Sequence, residues 1–221
     1  MNAPLPERAN PLFDAQQALA QRWTSVESMP VAVAYGPNDR AIARVVGIGD
    51  ASARRRTGFK GPAAAAWLQQ QAVPVPAQPN QWAALDVGGL VARLGRTEFL
   101  IEDAEGGARC AMVEALPIPP GVYPVLRQDA ELVLTGQRAG ELLLQTCSID
   151  FTALDASTRP VVLTTMVGVG VTVALESFES ARRVRIWCDG TYGGYLWTTL
   201  VDVARDLGGG PIGLEALRPA Q

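Results

Sequence analysis

Side chains able to carry chemistry are few in this chain, and their types limit what that chemistry is. There is no histidine. Ser-His-Asp and Cys-His arrangements are therefore impossible, as is a histidine general base. Zinc and non-haem iron sites that lean on imidazole are disfavoured for the same reason. Lys60 is the only lysine, and so the only possible Schiff-base amine. Cys110, Cys147 and Cys188 stand 37 and 41 residues apart with no C-x-x-C. They read as free, reduced thiols. Cys188 precedes a helix start, which favours a thiolate, but Asp189 beside it works the other way. Asp86, Glu98, Asp103, Asp129, Asp150, Asp155 and Asp189 show no paired spacing that would make a carboxylate dyad.

Three segments concentrate polar or aromatic groups. Gly58-Phe59-Lys60-Gly61 lacks the G-x-x-x-x-G-K-[ST] spacing of a phosphate loop and reads as a structural turn. Arg54-Arg55-Arg56 beside Lys60 reads as a solvated face, a partner contact or an anion contact. Trp187, Cys188, Asp189, Tyr192, Tyr195 and Trp197 share an 11-residue stretch with three glycines. Core packing with helix capping by Asp189 explains it, and so does an aromatic-walled cleft or interface.

The elements that must position these groups follow from pattern. Asp14 caps a helix over 15–22. Pro30–Tyr35 is an apolar run, Gly36–Asp39 a turn, and Ala41–Ile48 strand-like. Thr57–Pro62 leads into an alanine-rich helix over 63–71, with Pro62 at its first position and Trp67 and Leu68 inward. Leu90–Leu94 and Phe99–Ile101 form a hairpin. Arg109–Leu116 fits a strand or a helix. Pro117, Pro119, Pro120 and Gly121 divide the chain.

Beyond that division, Glu131–Leu134 is a strand and 137–145 a helix. Val161–Val173 alternates with period two and reads as one strand, its glycines at 168 and 170 marking close backbone approach. Arg183–Trp187 is a half-buried strand. Thr191 caps a helix whose stripe is Leu196, Leu200, Val203 and Leu207. Lys60-Gly61 with its helix matches Thr135-Gly136 with its helix at an offset of 75 residues. The fold class expected is α+β, two related halves of mixed or antiparallel sheet covered by helices. The units are an arm and short helix over 1–30, one half over 31–120 and another over 121–221.

Bulk properties narrow the partners. The chain has 221 residues and a net charge of −3, so no electrostatic case exists for nucleic acid. No 18-residue apolar stretch argues for a membrane span. The N-terminus lacks a basic region followed by an apolar run, so a cytoplasmic location is expected.

Taken together, these segments make the chain resemble the gamma subunit of heterotetrameric sarcosine oxidase, a family similar to the folate-binding domain of the glycine-cleavage aminomethyltransferase. The likeness spans about residues 50–215. It rests on Thr57–Pro62 with its helix, Gly88–Gly95 with Glu98–Leu100, Tyr123–Asp129, Leu134–Gly136, Cys147–Asp150 and, most specifically, Arg185–Trp197. It implies a degenerate aminomethyltransferase-like folate-binding fold and a non-catalytic role in an enzyme that demethylates sarcosine or a related N-methyl amine. Such a complex uses FAD, FMN, NAD and tetrahydrofolate, none held by this chain alone. The implied partners are larger flavoprotein and folate-binding subunits.

The resemblance also implies where folate chemistry would sit. The segment over 80–94 would carry an aspartate for the folate amine, but Ala92-Arg93 stand there and Asp86 lies six residues early. The late segment would carry a glutamate for the pterin, but it reads Asp189-Gly190-Thr191-Tyr192-Gly193-Gly194. Partner or cleft candidates are Arg54, Arg55, Arg56, Lys60, Tyr123, Arg127, Trp187, Asp189, Tyr192, Tyr195 and Trp197. The Tyr123-Pro124 region and the proline-containing N-terminal arm are expected to offer exposed apolar surface. A standalone folate- or pterin-binding protein, or an aminomethyltransferase-like accessory enzyme, is the alternative reading.

Overall fold

The computed structural model describes residues 9–85, 88–104, 106–178 and 181–218. Most of the N-terminal arm, and Asp86 with it, lies outside the described residues. The Asn10 side chain accepts from Leu12 N at 2.8 Å and starts α1 (Phe13–Gln16) ahead of Asp14. The helix expected over 15–22 is therefore earlier and shorter. Arg22 is already needed in β1 (Arg22–Val26), which pairs antiparallel with β2 (Met29–Ala34).

The strand-like run 41–48 is instead α2 (Asp39–Val45) followed by β3 (Gly47–Asp50). Tertiary bonds override the β-branched residues here. Asp39 accepts from Tyr35 N, Gly36 N and Gly213 N, at 2.9, 2.8 and 2.9 Å, which pins the helix start. Ile42 and Ala43 then pack against Ile212 and Leu217.

β4 (Arg56–Lys60) turns through Gly61 into α3 (Ala64–Gln70), so Pro62 lies just before the helix rather than at its first position. β5 (Gln81–Ala84), β6 (Leu90–Arg93) and β7 (Glu98–Glu102) follow as a meander. Residues 109–116 resolve as α4 (Arg109–Glu114), because Asp103 accepts from Arg109 N at 3.1 Å and Cys110 N at 3.0 Å. β8 (Tyr123–Val125) comes after the proline-rich division.

β9 (Ala130–Gly136) turns through Gly136 into α5 (Ala139–Thr146). Gly61 and Gly136 have φ of +123° and +107°. A Cβ on either would fall 2.3 Å from Gly121 O or 2.4 Å from Val45 O. The strand–glycine–helix unit seen twice in the sequence is thus one backbone device used twice, open only to glycine.

The run 161–173 is a hairpin rather than one strand. β10 (Val161–Met166) turns at Val167-Gly168 into β11 (Val169–Phe178). Gly168 serves a turn with φ +85°, and nothing approaches within 4 Å of a Cβ on Gly168 or Gly170. No backbone therefore packs close there. β12 (Ala181–Cys188) leads to a short turn at Gly190–Tyr192 and then α6 (Gly193–Asp206). The capping side chain is Asp189, which accepts from Thr191 N at 2.9 Å, so Thr191 is donor rather than cap. β13 (Gly210–Ile212) and α7 (Leu214–Leu217) complete the chain.

Two sheets result. One has the order β10-β11-β12-β9-β3-β13, antiparallel except for the parallel β3–β13 pair, and the other has β5-β6-β7-β4-β8, all antiparallel. They exchange strands across the division near residue 120, since β3 joins the first and β8 the second. Helices cover the outer face of each sheet. Leu142, Leu143, Leu196, Trp197 and Leu200 pack on Val173, Val184 and Ile186 of the six-stranded sheet. Trp67 and Leu68 pack on Phe59, Phe99 and Ile101 of the five-stranded one. The architecture is α+β, with mixed and antiparallel sheets covered by helices.

Candidate functional site

The inner faces of the sheets meet in a seam. Alternation along the strands decides what enters it. On β7, Phe99 and Ile101 face the helices, so Leu100 and Glu102 face inward; on β4, Arg56 lies opposite Glu102. On the facing sheet, Trp187 is opposite Glu131, and Arg185 lies two residues before Trp187 on the same face. Leu90, Ala92, Leu100, Val161, Ala174 and Trp187 form an apolar patch. Beside it the seam is ionic.

Glu102 is the hub. It accepts from Arg185 Nη1 at 2.6 Å, Trp187 Nε1 at 2.8 Å, Arg56 Nε at 3.1 Å and Arg54 Nη1 at 3.4 Å. Glu131 accepts from Arg56 Nη2 at 2.8 Å and Arg54 Nη1 at 3.1 Å. The side chains of Arg56, Glu102 and Glu131 are fully buried. Arg185 Nε also lies 2.6 Å from Glu176, off the N–H axis, so that contact is an ion pair rather than an aligned hydrogen bond. Arg183 Nε stands 3.4 Å from the same carboxylate.

The two central carboxyls differ. Burial opposes the charge of Glu102, but the guanidiniums of Arg56, Arg185 and Arg54 outweigh it and hold the group below the usual carboxylate range. Burial pushes Glu131 upward, and the neighbouring Glu102 charge adds to that. They titrate as a linked pair. Burial, with Arg54 nearby, lowers Arg183 to about 10. Both acids lie in ion-pair contact with guanidiniums of the seam.

The residues singled out from sequence scatter. Arg54, Arg55 and Arg56 do not form one solvated face. Arg56 is buried, Arg54 is 18% exposed, and Arg55 alone is on the surface, paired with Glu114 at 2.8 Å. The alternation along β4 and its preceding loop turns neighbours in opposite directions. Trp187 is in the seam, whereas Trp197 is buried under α6 and stacks on Tyr35 at 6.1 Å. They do not wall one cleft. Tyr192 and Tyr195 are exposed, and Tyr195 donates to Val167 O. Arg127 lies over Gly58 and reaches Glu98 at 2.6 Å. Lys60 is exposed at the end of β4. Tyr123 is 56% and Leu126 80% exposed, at and just beyond edge strand β8, which gives the expected apolar surface there.

The segments implied for folate chemistry lack the aspartate and the glutamate that the resemblance calls for. Ala92 is fully buried in the seam, and Arg93 points the other way, over Phe99, donating to the carbonyls of Pro76 and Ala77. Asp189 is taken up by Thr191, whose hydrogen bonds lower its carboxyl. Burial, then Asp129 and Asp189, push the Cys188 thiol up to about 12, so it is no thiolate. Burial and Asp103 raise Cys110 as well.

Among the described residues, no group of three or more His, Cys, Asp or Glu side chains is placed to hold a metal ion, and no helix is long and apolar enough to cross a membrane.

Glu102, Glu131, Glu176 and Arg185 were missed by sequence reasoning. The signal was present. Each continues the period-two run of an inward apolar residue: Glu102 follows Leu100, Glu176 follows Ala174, and Arg185 precedes Trp187.

No protein-family model and no curated protein matches the sequence. Solved structures do. The glycine cleavage system aminomethyltransferase T of Bartonella henselae superposes with a TM-score of 0.74 at 16% identity, covering 95% of this chain and 60% of that one. This chain thus spans about three-fifths of that enzyme's length. A chain of heterotetrameric sarcosine oxidase from Corynebacterium sp. U-96, solved with pyrrole 2-carboxylate, superposes with a TM-score of 0.61 at 18% identity, covering 79% of this chain and 93% of that one. These two superpositions establish an aminomethyltransferase-like fold, which this chain shares with a chain of a sarcosine oxidase.

Proposed function

We propose that the chain is a non-catalytic, gamma-type subunit of a heterotetrameric sarcosine oxidase-like enzyme. That enzyme oxidatively demethylates sarcosine or a related N-methyl amine in the cytoplasm, with one-carbon transfer to tetrahydrofolate. The observation that carries the reading is the superposition over 93% of an oxidase chain, against only 60% of the aminomethyltransferase. The site supports it. Each seam acid lies within ion-pair distance of an arginine, the early segment has Ala92-Arg93 where the resemblance calls for an aspartate, and the late segment Asp189-Gly190-Thr191-Tyr192-Gly193-Gly194 has no glutamate. Flavins, NAD and folate belong to larger partner subunits in this reading, and the exposed Tyr123 and Leu126 offer those partners an apolar contact.

Affinity purification of the chain from its native host tests this. Recovery of larger flavoprotein chains, with N-methyl amine oxidase activity in the complex and none in the isolated chain, is expected. Turnover by the isolated chain defeats the proposal. The second reading is a free-standing folate-binding protein, favoured by the superposition that covers 95% of this chain. Isothermal titration with tetrahydrofolate separates them: micromolar binding by the lone chain supports the second reading, and its absence supports the first.

A further inference from the structure

A cleft of about 70 Å³ opens beside the ionic seam, between the β1–β2 hairpin, the loop joining β3 to β4, and α7. Its walls are largely apolar, with Val26, Val31, Ala53, Leu214 and Leu217 among them. Arg54 lines it, as do Arg55 and Arg218, and among the described residues Arg54 is the one shared by the cleft and the seam. Its Nη1 is held from behind by Glu131 and Glu102, whose carboxylates are fully buried. Among the described residues, its Nε and Nη2 edge makes no hydrogen bond, and 18% of the side chain stays exposed. The cation is therefore anchored through Nη1, with part of its side chain open to the cleft.

We propose that this cleft binds a small carboxylic acid with an apolar body, its carboxylate on the outer edge of Arg54 and its hydrocarbon part against Val26, Val31 and Leu214. Arginine's fork matches a carboxylate in two parallel hydrogen bonds, and a guanidinium locked by buried partners loses little further freedom on binding. The acids that also line the cleft do not fill this role. Asp50 is occupied by Asn10 Nδ2 at 2.9 Å, Gln16 Nε2 at 3.1 Å and Ser52 N at 2.8 Å. Glu27 stands on the exposed hairpin turn, close enough to Arg55 to favour that cation's charge. This site is separate from the positions at Ala92 and Gly190, so it stands whether or not the subunit reading holds.

Isothermal titration of the intact chain with hexanoate and benzoate, beside hexanamide and benzamide, tests it. The acids are expected to bind at one site with a submillimolar Kd, and the amides about tenfold or more weakly, a difference of about 1.4 kcal/mol. Val26→Trp fills the cleft without touching the ion network and abolishes binding while the melting curve stays cooperative. Arg54→Lys keeps the charge, loses the fork and weakens the acids about tenfold. Equal binding of acid and amide, undiminished binding to Val26→Trp, or no response to either acid at millimolar concentration overturns the proposal.

Discussion

On the helix-facing side of the five-stranded sheet, Phe59 and Phe99 meet Trp67 and Leu68, with the Phe59 and Trp67 rings 4.9 Å apart. Three residues along the same strands, Arg56 and Glu102 point the other way into a seam where Arg54, Arg185 and Glu131 gather with them. Both regions are buried, but they hold by different means. The outer core is sustained by apolar area and tolerates reshaping that conserves volume. The seam carries desolvated charges whose attraction has to offset their dehydration, so it adds little net stability while intact and costs heavily when one partner is lost. The contrast suggests that the seam fixes how the two sheets register and the helices supply the adhesion.

The most severe test of that contrast is Glu102→Ala. It strands Arg56, Arg185 and the Trp187 indole at once, and about 3–5 kcal/mol of stability should be lost in urea titration. A loss no larger than for a surface acid would show that the seam is wet and the contrast false. Trp187→Ala should cost a similar amount, about 3–5 kcal/mol, through its cavity. Trp187→Phe keeps an aromatic ring but loses the indole N–H bonded to Glu102, and should cost about 1–3 kcal/mol.

The pH dependence sharpens the comparison within the seam. Glu102 holds its charge more tightly folded than unfolded, so its contribution is present above the ordinary carboxylate range and is lost as pH falls below it. Glu131 holds its proton more tightly when folded. Its contribution is full below the ordinary carboxylate range and is lost as pH rises through its elevated value. Glu131→Gln should therefore flatten the alkaline decline in stability while leaving the acid limb in place. An unchanged alkaline limb would remove Glu131 from the account.

Smaller effects compare the two halves. Gly61→Ala and Gly136→Ala should each cost more than about 1 kcal/mol, since both combine positive φ with a blocked Cβ. A large cost at one and none at the other would break the equivalence of the two strand–glycine–helix units. Smallest of all, Arg55→Ala should change stability by no more than about 0.5 kcal/mol, because its pair with Glu114 is exposed. That outcome, next to a much larger loss for Arg56→Ala, would separate two adjacent arginines by burial alone.

Much of the outer architecture was legible. The alanine-rich helix with inward Trp67 and Leu68, the β6–β7 hairpin, the alternating 183–187 strand and the α6 stripe all follow from local periodicity, and the matched turns at Gly61 and Gly136 from glycine placement. Where local reading failed, a distant partner had intervened. The run 41–48 became helical because Asp39 ties its start to Gly213, 174 residues away. The candidate site fared worse, since the arginine run fitted a solvated face as well as a contact and Glu102, Glu131 and Glu176 did not stand out.

The sequence by itself determined which strand faces are apolar, where the chain must reverse and which catalytic groups it lacks, because these depend on neighbours a few residues apart. Only the tertiary structure decided that Arg56, Glu102, Glu131 and Arg185 meet. They come from four strands in two sheets, up to 129 positions apart, and a charge's partner is set by which strands pair and which faces stack, not by anything written beside it in the chain.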